Sequence, residues 1–202
     1  LIKDLGLVTD VFNKEKLNML KGNVAIGHVR YSTTGSTVAE NAQPLLTTCK
    51  LGPIAIAHNG NLVNADVIRE LLEDSGSVFH TSIDTEVIIN LIAKAAKEGI
   101  DTAIFKAVQA VRGSFAMVIS TKDKLIGVRD PYGIRPLCLG KIEGGYLLAS
   151  ESCAFDAVGA EFIRDVNPGE IITISKDGIN SFEYSECTGG TTCAFEYIYF
   201  AR

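Results

Sequence analysis

The chain has 202 residues, 47% hydrophobic and 21% charged, with a formal net charge of −5. This length suits one well-buried domain and is too short for two full ones. The acid balance and the absence of any Lys/Arg run argue against nucleic acid, whose phosphates want a basic face.

In chain order, Leu1–Asp4 reads as the middle of a strand, and Val24–Val29 and Ile54–Ala57 as two further strands. Helical spacing then appears three times. Val67, Ile68, Leu71 and Leu72 share a face and end at Gly76. Val87, Ile88, Leu91, Ile92 and Ala95 repeat the pattern between Asp84 and Gly99, and Ile104, Phe105, Val108 and Val111 form a third stripe closed by Gly113. Strand-length apolar runs resume at Phe115–Ile119, Leu125–Val128, Leu137–Leu139, Tyr146–Ala149 and Ile171–Ile174, mostly separated by Gly, Pro or Asp. The segment "CTGGTTC" at 187–193 reads as a linker, and Glu196–Arg202 as a strand-like aromatic run. Grouped helices and grouped strands argue for an α+β fold with mainly antiparallel sheets.

The longest apolar stretch, Val87–Ala96, is broken by Asn90 and Lys94 and is too short to cross a bilayer, so no membrane is expected. No signal-peptide pattern opens the chain. Five cysteines with no CxxC pair fit buried thiols in a reducing, cytoplasmic compartment better than a disulfide scaffold. Both ends look cut from a longer chain: Leu1 is not a methionine, and the final aromatic run stops without a tail.

Four clusters could carry chemistry. "GHVRYSTTG", Gly27–Gly35, places Arg30 at a strand end before a hydroxyl-rich loop. Its guanidinium fork suits a carboxylate or phosphate, although a surface ion pair is the plain alternative. "AIAHNGNLVN", Ala55–Asn64, offers the Asn59 side-chain N–H and the Gly60 backbone N–H as converging oxyanion donors. Asn-Gly is equally the signature of a hairpin turn. "TSIDTE", Thr81–Glu86, opens a helix, where Ser82 or Asp84 could cap and Asp84 could instead hold an ammonium group. "RDPYGIRPL", Arg129–Leu137, has the composition of a turn between strands, with Arg129 and Arg135 expected in internal ion pairs. P-loop, GxGxxG, HExxH and GxSxG elements are absent, and His28, His58 and His80 are too scattered to suggest a metal motif.

These clusters in this order, together with "QPL", "ASESCAFD", "PGE" and "EYIYFAR", resemble class II glutamine amidotransferase domains, which are N-terminal-nucleophile hydrolases. Within that class the resemblance is closer to the amidophosphoribosyltransferase family, and it covers essentially the whole chain. It implies a four-layer αββα sandwich and release of ammonia from glutamine. That ammonia would convert phosphoribosyl pyrophosphate to phosphoribosylamine in purine synthesis. By resemblance, Arg30 binds the glutamine α-carboxylate, Asp84 the α-ammonium, Thr33 assists from a closing loop of 30–41, and Asn59 and Gly60 form the oxyanion hole.

The family's nucleophile is an N-terminal cysteine on a first strand that this chain does not contain, so the chain by itself is expected to be inactive. Residues 1–186 would be the amidotransferase domain without its first strands. Residues 187–202 would be the linker and first strand towards an absent phosphoribosyltransferase domain. No cofactor is implied within the domain itself. In the complete enzyme the resemblance implies Mg2+, a homo-oligomer and, in a subset, a [4Fe–4S] cluster to which Cys193 would contribute one ligand. Two other readings remain beside this one: another class II amidotransferase, or a glutamine-binding module without catalysis.

Overall fold

The computed structural model describes residues 1–30, 38–186, 191 and 193–198. Strand alternation explains its architecture. In β3, Gly113–Ser120, the side chains of Phe115, Met117 and Ile119 enter one core and Ala116 and Val118 the other. A strand buried on both faces needs a layer on each side.

β3 lies inside a six-stranded antiparallel sheet. Its neighbours are β1 (Leu45–Cys49), β2 (Gly52–Leu62), β4 (Lys124–Arg129), β8 (Glu170–Ser175) and β9 (Gly178–Glu183), in the order β1-β2-β3-β4-β8-β9. One face carries α3 (Ala65–Asp74), α4 (Thr85–Ala95) and α5 (Ile100–Ala110). Ile54, Ile56, Ile126 and Val128 meet Val87, Ile88, Ile92, Ile104 and Val108 there. On the other face lies a smaller antiparallel sheet of β5 (Cys138–Ile142), β6 (Gly145–Ala149) and β7 (Glu161–Asp165), in the order β6-β5-β7. Leu137, Leu139 and Leu148 of this layer pack against Ala116, Val118 and Ile172. Outside it lies α6 (Cys153–Val158), whose Phe155 ring sits so close to Gly140 that a Cβ there would come within 2.9 Å of it. The order of layers is helix, sheet, sheet, helix, the αββα sandwich.

Six of the expected strands and all three expected helices sit where periodicity puts them, with ends shifted by a few residues. β1, β7 and β9 lack a strong apolar run, and their exposed residues explain why: β7 and β9 are edge strands exposed along much of their length. The expected α3 stripe is half wrong, because Ile68 and Leu72 are buried while Val67 and Leu71 are exposed.

Residues 1–30 depart most from expectation. Leu1–Asp4 forms no strand, and two short helices follow, α1 (Val8–Val11) and α2 (Lys14–Met19). Val24–Val29 is not in a ladder, yet burial alternates along it, with Val24, Ile26, His28 and Arg30 less exposed than their neighbours. The strand period is present, and among the described residues no strand pairs with it. At the other end, Ala194–Ile198 forms a short helix, α7, which takes the first three residues of the strand expected over 196–202; the other four lie outside the described residues.

Candidate active site

The site begins at the carboxyl end of β2. The strand does not stop before His58 but runs on to Leu62, with Asn59 opposite Ala116 and Gly60 opposite Phe115. The Asn-Gly pair is therefore not a hairpin turn. Gly60 has φ 146°, and a Cβ there would stand 2.0 Å from the Ser114 carbonyl oxygen, so the strands can approach this closely only at glycine.

Ladder parity then fixes where Gly60 points. Phe115 donates its N–H to Asp130 Oδ2 at 3.2 Å and accepts the Asp130 N–H at 2.8 Å, so both its backbone groups face the β4 side. Gly60, opposite it, turns its own N–H and carbonyl away from β3. That edge belongs to β1, whose pairing with β2 ends at Leu45 and Ile56. The Gly60 N–H is thus aimed past the end of a neighbouring strand, at the edge of the sheet.

Asp84 meets this strand end from the start of α4. Its carboxylate makes no cap to its own helix; Oδ2 accepts the Leu62 N–H at 3.0 Å and Oδ1 lies 3.4 Å from His58 Nδ1. Burial pushes its pKa up, but His58 and the Leu62 and Thr85 N–H groups outweigh it, leaving the carboxyl below its ordinary value. A carboxylate is therefore held charged beside the Asn59–Gly60 segment. Glu86 supports the approach to it: Oε1 accepts the His80 N–H at 2.8 Å, and Oε2 accepts the Thr81 N–H and hydroxyl, each at 2.6 Å.

Arg30 ends the extended 24–30 segment, half-buried and two residues from His28. The His28 pKa is lowered, first by burial and then by the charge of His58, with a smaller contribution from Arg30 and a bond to the His58 backbone working against the shift. This chain of contacts brings the Arg30 segment to the same strand end as Asp84. Beside it runs a groove of about 980 Å3, lined by Ile26, His28, Arg30, Pro44, Leu46 and Ala55 among others; Asn59, Gly60 and Asp84 do not line it. Thr33 lies outside the described residues.

Other expectations fare differently. Among the described residues Arg129 makes no ion pair with an acid; its guanidinium donates to the carbonyls of Arg135, Gly133 and Val166. Asp130, fully buried, accepts N–H groups from Tyr132, Ile134 and Arg135, which the turn brings together, and from Phe115 of β3. "RDPYGIRPL" is thus a turn held by its own acid. Burial pushes the Cys138 thiol up to about 11, which leaves it protonated and inert at neutral pH. Cys193 is a half-buried free thiol, and among the described residues no group of three or more His, Cys, Asp or Glu could hold a metal. One thiol does not make a four-cysteine cluster site, so the described residues alone do not fit such a cluster. Sequence reading has Asn41 only as the end of a closing loop and Gln43 only within "QPL", yet both are buried and bonded to the site.

The fold and this strand end define a class: an αββα sandwich of the N-terminal-nucleophile type, with a charged carboxylate held at the end of a strand that carries an Asn-Gly pair. A glutamine amidotransferase domain model matches residues 28–157. The chain is 48% identical to the amidophosphoribosyltransferase of Archaeoglobus fulgidus over 202 residues, covering 99% of this chain and 44% of that protein. It is 44% identical to the Bacillus subtilis enzyme of the same name, covering 99% of this chain and 42% of that one. The solved B. subtilis glutamine phosphoribosylpyrophosphate amidotransferase, complexed with ADP and GMP, superimposes with a TM-score of 0.91 at 43% identity, over 98% of this chain and 43% of its own. The chain belongs to the glutamine amidotransferase family. It spans less than half the length of these relatives.

Proposed function

We propose that the chain is the glutaminase part of an amidophosphoribosyltransferase, releasing ammonia from glutamine for transfer to phosphoribosyl pyrophosphate at another domain. The observation that carries this reading is the Asp84 carboxylate, its pKa held below the ordinary value, bonded to the Leu62 N–H and so anchored at the strand end that contains Asn59 and Gly60. Identities of 44–48% across 99% of the chain support the particular activity.

In this reading Asp84 holds the α-ammonium of glutamine and Arg30 its α-carboxylate, with Thr33 assisting. Attack on the carboxamide carbon turns its oxygen into an oxyanion, which the Asn59 side chain and the Gly60 N–H would meet. Ammonia leaves, and water releases glutamate from the acyl-enzyme. The nucleophile would be an N-terminal cysteine on a preceding strand, its free α-amine serving as base. The groove lined by Ile26, His28 and Arg30 offers a place for such a strand. A cytoplasmic setting, a homo-oligomer, Mg2+ and a cluster held partly by Cys193 belong to the same reading of the complete enzyme.

The test is ammonia release from glutamine by residues 1–202, with and without the native preceding segment processed to leave cysteine first. Activity should appear only with that segment and vanish when its cysteine becomes serine. Robust release by residues 1–202 alone would mean that an internal residue is the nucleophile, and the assignment would fail.

A further inference from the structure

Two buried side-chain amides tie the halves of this site together. Asn41 is 1% exposed and ends the 3-10 turn Ala39–Asn41. Its Nδ2 donates to Ser82 Oγ at 2.9 Å and its Oδ1 accepts the Ser82 N–H at 3.1 Å. Gln43, 9% exposed, does the same to β2: its Oε1 accepts the His58 N–H at 2.7 Å and its Nε2 donates to the His58 carbonyl at 3.2 Å.

The Gln43 contact has a backbone logic. β1 pairs Leu45 with Ile56, and continuing that register would set Gln43 opposite His58. Pro44 has no N–H to extend the ladder. The Gln43 side-chain amide supplies the donor and acceptor that a strand residue would have offered, one step beyond the last backbone pair.

These contacts address the two ends of the site separately. Ser82 stands two residues before Asp84, and His58 one residue before Asn59. His58 also faces Asp84 directly, 3.4 Å from Oδ1. Two residues apart in one short segment, Asn41 sets the loop that carries the carboxylate and Gln43 sets the strand that carries the oxyanion donors. Lys3 fixes the same segment from outside, donating to the Glu40 and Ala42 carbonyls, both at 2.9 Å.

We propose that Asn41 and Gln43 are positioning residues that fix the spacing between Asp84 and the Asn59–Gly60 donors, an inference that rests on the glutaminase reading above. Asn41 governs ground-state binding of the ammonium end. Gln43 governs the transition state, because it holds the strand whose donors meet the oxyanion.

The experiment compares Asn41→Leu and Gln43→Met in the full-length enzyme, with glutamine-dependent and ammonia-dependent synthesis measured side by side. Asn41→Leu should raise the KM for glutamine about tenfold, the scale of one hydrogen bond to a charged group. It should also narrow the preference for glutamine over 4-carbamoylbutanoate, which lacks the α-amine. Gln43→Met should lower kcat with glutamine on the order of 10²-fold, as misplaced oxyanion donors do, with KM little moved. Gln43→Glu, which keeps the acceptor for the His58 N–H, should recover part of that loss. Ammonia-dependent synthesis should hold in every variant.

Unchanged glutamine kinetics, or parallel loss of both activities with a matching fall in the unfolding midpoint, would overturn the proposal. If the apolar variants do not fold, Asn41→Asp and Gln43→Glu must show the same KM-against-kcat split in weaker form, and its absence is equally fatal. Asp84→Asn and Asn59→Ala serve as controls. Normal glutamine use in those two sinks the glutaminase reading itself; impaired use without the split in the Asn41 and Gln43 variants sinks only this inference.

Discussion

Residues 1–30 and the β2–β3 pair are both rich in Leu, Ile, Val and Met, and they fare in opposite ways. In β2–β3, Ile54, Ile56, Phe115, Met117 and Ile119 are all 1% exposed or less. In the first thirty residues Leu7 is 69% exposed, Met19 71% and Val29 78%, and Val11 is the buried hydrophobic residue. The difference is not composition but partnership. β2 and β3 satisfy each other's backbone and are covered on the helix side by α4 and α5. The 24–30 segment joins no ladder among the described residues, and its alternate side chains are only half-buried. Apolar side chains are buried when the backbone beneath them is already paired.

The sharpest way to break this comparison is inside the core. Ile56→Ala should cost about 2–5 kcal/mol through lost burial and a residual cavity, read as a lower denaturant midpoint at constant slope. A cost below about 0.5 kcal/mol would mean that the sheet–helix core is not the stabilising unit.

The strand end should respond in rate rather than stability. Asn59→Ala in the full-length enzyme should lower kcat for glutamine about 10²-fold or more, and Asn59→Asp should also be poor because a carboxylate would face the oxyanion. Near-normal turnover would reduce Asn59 to a strand residue.

Arg30 is where the first region reaches the second. Arg30→Lys keeps the charge but loses the two-pronged grip on a carboxylate, so glutamine use should weaken about tenfold while ammonia use changes far less. Equal loss with both nitrogen sources would place Arg30 in folding or in the acceptor site.

Acid should loosen the junction in two stages. The folded pKa of His28 is lowered from 6.5, mainly by burial. Its stabilising contribution is complete above the unfolded value and is lost as the pH falls from there through the folded value. Asp84, lowered from 3.8, follows the same sign further down. Burial raises the Glu170 pKa, but Arg164, the Asn167 N–H and Ser181 outweigh it and leave it lowered from 4.5, so it shares this acid stage. Stability measured from pH 7 downward should therefore decline in two stages, and Asp84→Asn should shrink only the second; a profile identical to wild type would show that Asp84 is not linked to folding.

The smallest effect is expected in the first region. Leu17→Ser, at a residue 54% exposed, should change stability by no more than about 0.5 kcal/mol. A loss comparable to that of Ile56→Ala would show that this segment is packed in solution against something else.

Period and composition were enough to fix the helices α3, α4 and α5, most of the strands and the α+β class. Those features are written in side chains a few positions apart, where a repeat of 3.6 or 2 is a local physical signal. Tertiary structure decided the rest. Nothing near Gly60 in the chain says that its N–H points off the sheet; that follows from Phe115, fifty-five residues on, giving both its backbone bonds to the Asp130 side. Nothing in "TSIDTE" shows that the Asp84 carboxylate reaches the distant Leu62 N–H and faces His58. Asn41 and Gln43 look like loop residues until the fold sets them against Ser82 and His58. Hydrogen-bond direction and partner choice depend on register between distant segments, and register is a property of the assembled sheet.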